Sequence, residues 1–559
     1  MGQAAAVLRR RRVASPLVSV VNRMSGPQGP PAQPDASRRQ RRRRFRHVLL
    51  ACLGLHLAWA LAMPVTSAPD EPAHVYRAVS LWDGDLIPSV RAADGAWVVR
   101  VPQSVAEYAE STACTRHRPE VPAGCAPALT GPGGATTVET GAGRYIPPYY
   151  YAVGWPGRLD TGLAGFYGMR LASLVGSSVL LALAISTVLR TIGARWARLV
   201  LPIAMTPQVL WLGSMVNPNA WELDAGLLAW SAGLALASRL SIERREALWA
   251  KFLAGAVVLV LMRRLSPLWL LLIVVGILAT RLCLPAMTRQ QLPRLASGSA
   301  PVVLGVLVGL ATFSVWWHLT FDLASVRGIS SPQPSSENLV ESLVALVPDV
   351  LSWIHQTYGV FGWLDTRSPQ PAILAWLATG AVTFALVILG SRHRVRVAVT
   401  TGAGIALSLT IPLAFALTAG RQIGIHFWQA RYTMPFASGI PLAMGVLGAA
   451  WHGRPRELLD VVRVVSPLVC LAWPVLATIT FVSALHRYTN GQGAGWSLAD
   501  LPWSPPGGVL ALTALFALSS LFLVRALHDE APSGPAPRTA SAGIDGSSYG
   551  ETIRSAGAR

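Results

Sequence analysis

Charged residues are scarce in this chain, and lysine is almost missing from it. Asp, Glu, Lys and Arg make up 13% of the 559 residues, whereas hydrophobic residues make up 52% and the mean hydropathy is +0.44. A soluble core does not need that much apolar sequence, so the composition excludes a soluble protein and predicts a polytopic membrane protein. Lys251 is the only lysine, so the net charge of +20 comes from arginine. In a membrane protein this excess marks cytoplasmic loops, and no nucleic-acid partner is expected.

Long apolar runs recur along the chain in a pattern that predicts an all-α fold. A helix needs about 20 apolar residues to cross a hydrocarbon layer of roughly 30 Å, and about twelve segments qualify. They are 47–66, 166–189, 197–216, 219–238, 249–262, 265–284, 299–319, 371–390, 397–418, 432–450, 464–485 and 507–526. Because 249–262 is short and Arg263 with Arg264 separates it from the next run, the count is open by one or two.

Arginine is concentrated in alternate connections, which predicts that both termini are cytoplasmic. The arginine-rich set includes "RRQRRRRFR" before the first span and "SRHRVR" after the eighth. The outer side then receives a first outer loop at 67–165 and a second one at 320–370. We expect a transmembrane domain over 47–527 and disordered cytoplasmic tails at 1–46 and 528–559, since neither tail has a packable apolar pattern. The basic first tail is expected to hold anionic membrane lipids.

Cysteine is also infrequent, and two of the five cysteines lie in the first outer loop. Cys114 and Cys125 flank a short segment that contains Pro and Gly. A disulfide between them is expected in an oxidising compartment, because the spacing fits no zinc pattern. The Gly-rich stretch "GPGGATTVETGAG" (131–143) lacks the Lys and the strand–helix context of a phosphate-binding loop. It is interpreted as a flexible linker or gate.

Polar motifs cluster where the predicted spans reach the outer face. They are "TSAPDEPAHVYRA" (66–78), "GRYIPPYYY" (143–151), "YGMR" ending at Arg170, "VNPNAWELD" (216–224) and "WQARYTMP" (428–435). Solvation at a helix exit would explain any one of them, but their repetition on one face indicates a site. On a rise of 1.5 Å per residue, Glu222 and Asp224 fall some 5 to 10 Å inside the fourth span. Carboxylates at that depth are costly and are functional candidates.

These motifs resemble those of known membrane enzymes. A first helix with its N-terminus inside, a carboxylate pair directly after it and a large outer loop ending in Pro-Pro-Tyr resemble the membrane glycosyltransferases of the GT-C superfamily. More closely, "APDEPAHVYRA", "VNPNAW" and "QARYTMPF" are similar to the bacterial family called domain of unknown function 2142. The resemblance extends over residues 45–526 by hydropathy. The chain departs from the family pattern at Asn219, where an acidic residue is expected.

The superfamily resemblance implies sugar transfer on the outer face from a polyprenyl-phosphate-linked donor to an envelope glycan, lipid or protein. A carboxylate would take the proton of the acceptor hydroxyl as its oxygen attacks the anomeric carbon, and direct displacement would invert the anomer. By position in the motif, Asp70 is the expected base and Glu71 its support. The cofactor is left open, with a divalent cation on Asp70 and Glu71 as the option.

The leaving phosphate is expected to bind arginine, whose planar fork forms two parallel hydrogen bonds. Arg431 is the first choice because it begins a span, where the helix N-terminus favours an anion, and Tyr432 would add a hydroxyl. Arg170 is the second choice for binding the phosphate, because it also lies at the start of a span. Arg263 and Arg264 could grip the same phosphate or simply snorkel. The other substrate-binding residues expected from the motifs are His74, Arg77, Asn217 and Gln429, with Arg144 and Tyr145 shaping the acceptor cleft.

Two other classes of function stay open at this point. A transporter or lipid flippase would suit twelve spans with both ends inside, and Glu222, Asp224 and Asp322 could form a polar path. However, the sequence shows no internal repeat, and its charged groups crowd towards one face. The third class is a non-catalytic scaffold for envelope assembly. Arginine in place of lysine, with the Ala, Gly and Pro content, suggests a GC-rich genome and hence a bacterial plasma membrane.

Overall fold

The computed structural model is built mainly of helices. It describes residues 34–129, 131, 133–284, 300–322, 339–391, 393–423, 428–450 and 456–528. The helices are α1 (Pro34–Ala62), α2 (Glu71–Trp82), α3 (Gln103–Glu110), α4 (Pro148–Leu159), α5 (Leu163–Ala204), α6 (Pro207–Leu212), α7 (Asn219–Ser238), α8 (Arg245–Val260), α9 (Ser266–Cys283), α10 (Ala300–Trp317), α11 (Leu339–Ala345), α12 (Val347–Gly359), α13 (Gln370–Gly390), α14 (Arg394–Ile423), α15 (Met434–Ala437), α16 (Ile440–Ala450), α17 (Arg456–Thr489) and α18 (Val509–His528).

The membrane-spanning helices confirm the predicted fold class but not the predicted number of spans. Within the described part of the chain, eight helices are long and apolar enough to cross a membrane. They are Arg38–Ala62, Leu163–Ala204, Ser266–Cys283, Pro301–Phe321, Gln370–Gly390, Arg394–Thr418, Leu459–Thr489 and Val509–His528. Of the other predicted spans, α7 carries two carboxylates, α8 has only 16 residues, and Met434–Ala450 is an apolar region of shorter helices.

Two predicted spans join in one long helix. Segment 166–189 and the first part of the next segment, 197–204, lie in the 42-residue α5, where the backbone leaves helical geometry at Gly193 (φ 73°, ψ 169°). A side chain would disfavour that conformation, so glycine permits the kink. The N-terminal prediction also needs a correction: residues 34–46, expected in a disordered tail, form the first turns of α1. Their arginines are good helix formers. Segments 1–33 and 529–559 lie outside the described residues.

The first outer loop is a folded layer with its own strands. Strand β1 (Trp97–Pro102) pairs antiparallel with β2 (Ala135–Thr140), so that Trp97 faces Thr140. The interpretation of 131–143 as a flexible linker is therefore wrong over its centre. Threonine and valine there favour an extended strand, which outweighs the flanking glycines. Helices α2 and α3 cover the strands, and α4 packs on α2. The small apolar core between them includes Val75, Tyr108, Tyr149, Val153 and Phe166.

The rest of this layer is tied to the helix bundle near a disulfide. Cys114 and Cys125 are bonded, with their Cα atoms 6.2 Å apart. Between them, the carbonyls of Thr115, Arg118 and Val121 accept hydrogen bonds from the buried guanidinium of Arg487, near the end of α17. The cross-linked loop therefore rests on a membrane helix. A short second ladder, β3 (Val360–Phe361) with β4 (Thr366–Arg367), lies beside it.

The main apolar core holds α1 against α5 and α18. Trp59 of α1 lies at its centre, with ring centroids 4.9 Å from Phe361 and 4.9 Å from Phe481. Phe481 in turn stacks on Phe516 of α18 at 4.5 Å. Aromatic contacts of this kind add to the area that they bury. This packing fixes the end of α1 and therefore the position of the α1–α2 connection, residues 63–70, which carries the predicted base.

Candidate functional site

The α1–α2 connection has an unusual backbone that aims the Asp70 side chain away from its own helix. Asp70 precedes α2 in the left-handed region (φ 64°, ψ 0°), and its side chain makes no capping hydrogen bond to the helix. An aspartate before a helix ordinarily accepts from the first free amides. Left-handed backbone is tolerated by Asp better than by most residues. The turn therefore releases the carboxylate for another partner.

That partner is Arg431, the predicted phosphate ligand. Arg431 lies in the one-turn helix Ala430–Tyr432 before α15, where Nη2 bonds to Asp70 Oδ2 and Nη1 donates to the Pro69 carbonyl at 3.1 Å. The Arg431 side chain is 2% exposed, whereas that of Asp70 keeps 45% of its surface exposed. Nη2 also lies 3.3 Å from the Tyr432 hydroxyl. The structure thus joins a buried cation to a carboxylate that solutes can still reach.

A second cation, Arg263, lies beside the same Tyr432 ring. The centre of its guanidinium is 4.7 Å from the Tyr432 ring centroid, and Nη1 donates to Asn219 Oδ1. From its place in the sequence, Arg263 was equally compatible with binding a phosphate and with ordinary snorkelling. The side chain instead points into the site, where its charge acts on Asp70. The sequence feature that could have indicated this role is the position of Arg263 between two apolar runs.

Glu222, the carboxylate predicted to lie within the membrane, supports Arg263 through Asn219. Glu222 accepts hydrogen bonds from Ser266 at 2.7 Å and from Asn219 Nδ2 at 2.8 Å. Asn219, the position that departs from the family pattern, therefore bridges Glu222 and Arg263 through its two amide ends. An acidic residue there could not donate to Glu222. In this chain, the Asn219 amide bonds to both the Glu222 carboxylate and the Arg263 guanidinium.

The electrostatics of this cluster keep Asp70 ionised. Burial raises the pKa of the Asp70 carboxyl, but the charges of Arg431, His74 and Arg263, with the hydrogen bond from Arg431, outweigh burial and hold the pKa below its ordinary value. An opposite charge within a few ångströms favours the charged form in this way. Asp70 is therefore a carboxylate throughout the neutral pH range.

His74 lies one turn into α2 beneath this pair. Its Nδ1 is 2.9 Å from the Tyr150 hydroxyl, and its ring centroid is 5.8 Å from that of Tyr145. Burial lowers the pKa of His74 to about 3, against the opposing effect of Asp70, with Arg263 and Arg431 adding to the decrease. The imidazole is therefore neutral at pH 7. It joins α2 to α4 at the base of the site.

His74 should make the protein sensitive to acid. Its folded pKa lies below its unfolded value, so its contribution to stability is complete above about pH 6.5 and is lost as the pH falls towards 3. Replacing His74→Asn keeps an acceptor for Tyr150 and removes the titration. The decrease in thermal midpoint between about pH 7 and pH 5 should be smaller in this variant than in wild type. Equal decreases would contradict this, and His355→Asn on the surface of α12 is the control.

Glu71, adjacent to Asp70, is placed quite differently. Its carboxylate forms two bonds with Arg170 of α5, at 2.9 Å and 2.7 Å, and accepts a third from the Val216 amide at 3.0 Å. Arg170 also donates to the carbonyls of Ala60, Met63 and Pro64. Both side chains are fully buried. They lock the end of α1 to α5 and to the α6–α7 connection, which fits the predicted supporting role of Glu71 but leaves Arg170 no free fork for a phosphate.

Two further arginines were predicted to bind substrate, but in the structure they hold the folded layer formed by the first outer loop. Arg77 is fully buried and donates to the carbonyls of Asp85, Leu86 and Tyr145. Arg144 donates to the Pro88 carbonyl at 2.6 and 2.8 Å, and its guanidinium lies 3.6 Å from the ring centroid of Trp97. Sequence position alone could not separate an arginine that holds a loop from one that holds a ligand.

The remaining predicted residues surround the Asp70–Arg431 pair. Asn217 donates to the Pro69 carbonyl at 3.2 Å and so fixes the residue before Asp70. Gln429 is half-buried, and its side-chain oxygen is without a hydrogen-bond partner among the described residues. Tyr145 lies between His74 and the Arg264 guanidinium, which is 5.6 Å from its ring centroid. Asn217 is fully buried and its amide oxygen also accepts from the Asn219 amide, so it supports the site, whereas Gln429 and Tyr145 are compatible with a bound substrate.

The residues present do not fit the divalent-cation site that the motif suggested. Glu71 has both oxygens committed to Arg170, and Asp70 is paired with Arg431. Over the described ranges, no group of three or more His, Cys, Asp and Glu side chains is arranged to hold a metal ion. Divalent cations such as Mg²⁺ prefer several oxygen ligands, which this cluster of guanidinium groups does not offer.

Together, the fold and the site define an integral membrane protein in which an accessible carboxylate lies with a buried and a half-buried guanidinium group at one end of the helix bundle. The sequence profile of the family described as "Predicted membrane protein (DUF2142)" matches residues 53–440. The chain belongs to this family. Among solved structures, it is similar to the crystal structure of ArnT from Cupriavidus metallidurans bound to undecaprenyl phosphate, at 15% identity and a TM-score of 0.36, over 86% of this chain and 76% of that one. No curated protein matches the chain.

Proposed function

We propose that the protein is an inverting glycosyltransferase that takes a sugar from a polyprenyl-phosphate donor and transfers it to an envelope acceptor on the outer face of a bacterial plasma membrane. The observation that carries the proposal is the pairing of an accessible carboxylate, Asp70, with the buried Arg431 beside Arg263. One acceptor of a proton and two ligands for a phosphate are the groups that such a transfer requires.

The phosphate of the donor would bind between the two guanidinium groups. The guanidinium groups of Arg431 and Arg263 lie near the same Tyr432 ring, at 5.1 Å and 4.7 Å from its centroid. Arginine is suited to a phosphate because its planar donors match the phosphate oxygens in pairs. The turn that carries Arg431 also borders a cavity of about 80 Å³ with a mostly apolar lining that includes Trp353, Leu409 and Pro412. An isoprenoid tail suits that lining.

Donor binding would also prepare the base. In the described state Arg431 bonds to Asp70 and lowers its pKa, which makes the carboxylate a weak proton acceptor. A phosphate that takes over Arg431 would withdraw this hydrogen bond and neutralise the nearby positive charge. The pKa of Asp70 would then rise, and its oxygen would become free to accept a proton. The base is thus activated only when a donor is bound.

The transfer is a direct displacement at the anomeric carbon of the donor sugar. The acceptor hydroxyl oxygen attacks the anomeric carbon while Asp70 takes the hydroxyl proton. The bond between the anomeric carbon and the phosphate oxygen breaks, and the lipid phosphate leaves with the bonding electrons. Arg431 and Arg263 stabilise the charge that develops on that oxygen. Attack opposite the leaving group inverts the anomeric configuration.

Arg431→Ala should weaken binding of the lipid donor. Loss of a buried guanidinium that pairs with a phosphate is expected to reduce donor affinity by about 2 to 5 kcal/mol. Arg431→Lys keeps the charge but not the planar fork, so its donor affinity should lie between those of wild type and Arg431→Ala. Binding of a labelled polyprenyl-phosphate sugar to purified protein in nanodiscs measures the effect. Arg158→Ala, in an exposed ion pair on α4, is the control, and unchanged binding by Arg431→Ala would contradict the assignment.

A further inference from the structure

A second cavity lies at the same end of the bundle but is built from other elements. It has a volume of about 340 Å³ and is formed between β4, the end of α17 and the loop that follows α17. Its wall is linked to the α1–α2 connection through the disulfide-bonded loop, because Thr112 donates to the Val65 carbonyl at 2.7 Å. We call it the outer cavity. Its volume suits a single small ligand.

One wall of the outer cavity is held rigidly. Arg487 lines it, and its guanidinium is fixed by three carbonyls of the loop between Cys114 and Cys125. Asp365 lies 3.5 Å from the same guanidinium and also accepts from the His117 amide at 3.0 Å. The wall is therefore formed before any ligand arrives, and such preorganisation favours binding.

The lining of the outer cavity also includes an aromatic platform. The Trp496 ring lies 4.0 Å from His486, centroid to centroid, and 65% of Trp496 is exposed. A large exposed indole beside a cavity is a surface on which the apolar C–H face of a sugar ring can be buried. Trp496 is reached from solvent, whereas the imidazole beneath it is buried.

Gln492 provides a polar group of the lining. It is exposed, and its side-chain amide can both donate to and accept from a ligand. Ser368 Oγ, His486 Nε2 and Arg487 Nε belong to lining residues and have no hydrogen-bond partner among the described residues, but these atoms are fully buried and a ligand in the cavity does not reach them.

The charge of the lining selects for an anion. Its eight residues include Arg367 and Arg487 but no carboxylate, and Asp365 lies behind Arg487 as a counter-charge. The exposed Arg367 is therefore the cation available to a ligand. Its backbone pairs with Val360 in the β3–β4 ladder, so its position is fixed while its side chain stays accessible.

We propose that the outer cavity binds an anionic pyranose, a sugar ring that carries a carboxylate or a phosphate. The ring stacks on Trp496, the anionic group pairs with Arg367, and a hydroxyl bonds to the side-chain amide of Gln492. This site is separate from Asp70 and Arg431. The inference rests on the contacts of the outer cavity and does not depend on the proposed transferase activity.

Saturation-transfer NMR on the full-length protein in nanodiscs tests the site with glucuronic acid, glucose 6-phosphate and glucose. At least one anionic sugar should bind about tenfold more tightly than glucose, and the carboxylate and phosphate probes identify the preferred anion. Trp496→Ala should weaken its binding by about tenfold, and Arg367→Ala should remove the preference for the anion. Both side chains are exposed, so these variants should fold normally.

Three control variants distinguish binding in the outer cavity from binding elsewhere on the protein. Trp155→Ala removes an exposed indole of α4 outside the cavity and should leave binding unchanged. Asp70→Asn and Arg431→Ala should also leave it unchanged, even where they abolish transfer or donor binding. The proposal is overturned if neither anionic sugar binds, if glucose binds as tightly as they do, or if Trp496→Ala and Arg367→Ala both bind like wild type. Loss of binding in Asp70→Asn would place the ligand at the other site.

Discussion

Replacing Asp70→Asn should reduce sugar transfer by about 10² to 10⁴-fold, because an amide cannot accept the proton of the acceptor hydroxyl. The substitution conserves the size of the side chain, and the amide oxygen can still accept a hydrogen bond from Arg431. Donor binding should therefore persist. Transferred sugar and bound donor, measured separately on purified protein in lipid, distinguish a lost base from a lost binding site.

The control for this variant is another aspartate in the first outer loop. Asp83, at the end of α2, forms an exposed ion pair with Arg158. Exposed pairs of this kind contribute little to stability, so Asp83→Asn should transfer at the wild-type rate. If Asp70→Asn also keeps full transfer, Asp70 is not the base.

Replacing Glu71→Gln should cause the largest loss of stability among the site variants. It leaves the Arg170 guanidinium buried without a counter-charge, and breaking a buried ion pair in this way costs about 3 to 5 kcal/mol. Apolar replacement of both partners should not restore stability, since the carbonyls of Ala60, Met63 and Pro64 would then lose their donor. The thermal midpoint of the purified protein reports the change.

Glu110→Gln is the matched control for the ion pair. Glu110 pairs with Arg116 at 3.0 Å in the same outer layer, but its side chain is half-exposed. Its replacement should change stability by less than about 1 kcal/mol. A Glu71→Gln protein with the midpoint of wild type and no transfer would instead show that Glu71 takes part in the chemistry directly.

The neighbourhood of the site could be predicted because hydropathy fixes where each span begins and ends. Asp70 follows the first apolar run and Arg431 precedes a later one, so the expectation that both reach one face needed only the positions of the spans. The structure brings them into contact. The membrane-protein class and the family were accessible from the sequence for the same reason, since composition and short motifs carry them.

The roles of neighbouring residues could not be predicted in this way. Asp70 and Glu71 are adjacent, yet the left-handed turn at Asp70 points one carboxylate into the site and leaves the other buried against Arg170. Distant residues hold that turn, since Asn217 and Arg431 both donate to the Pro69 carbonyl directly before Asp70. Asn219 departs from the family pattern, but its amide links Glu222 to Arg263.

The number of spans was uncertain for a related reason. Hydropathy treats each apolar run independently, whereas α5 joins two runs through a kink at Gly193. The Gly-rich segment of the first outer loop was misinterpreted for the same reason. Its strand β2 pairs with β1, which lies earlier in the chain and outside a short sequence window. Non-local pairing is not encoded in a short window of sequence.

Transfer of labelled sugar by the purified protein, reconstituted in sealed vesicles with a polyprenyl-phosphate donor, is the most direct test of the proposed function. The assay uses a panel of envelope glycans, lipids and proteins as acceptors. We predict that the label moves from the lipid to an acceptor with wild-type protein and does so at least about 10²-fold more slowly with Asp70→Asn. Movement of the labelled lipid across the vesicle membrane without sugar transfer would contradict the proposal and would favour a flippase.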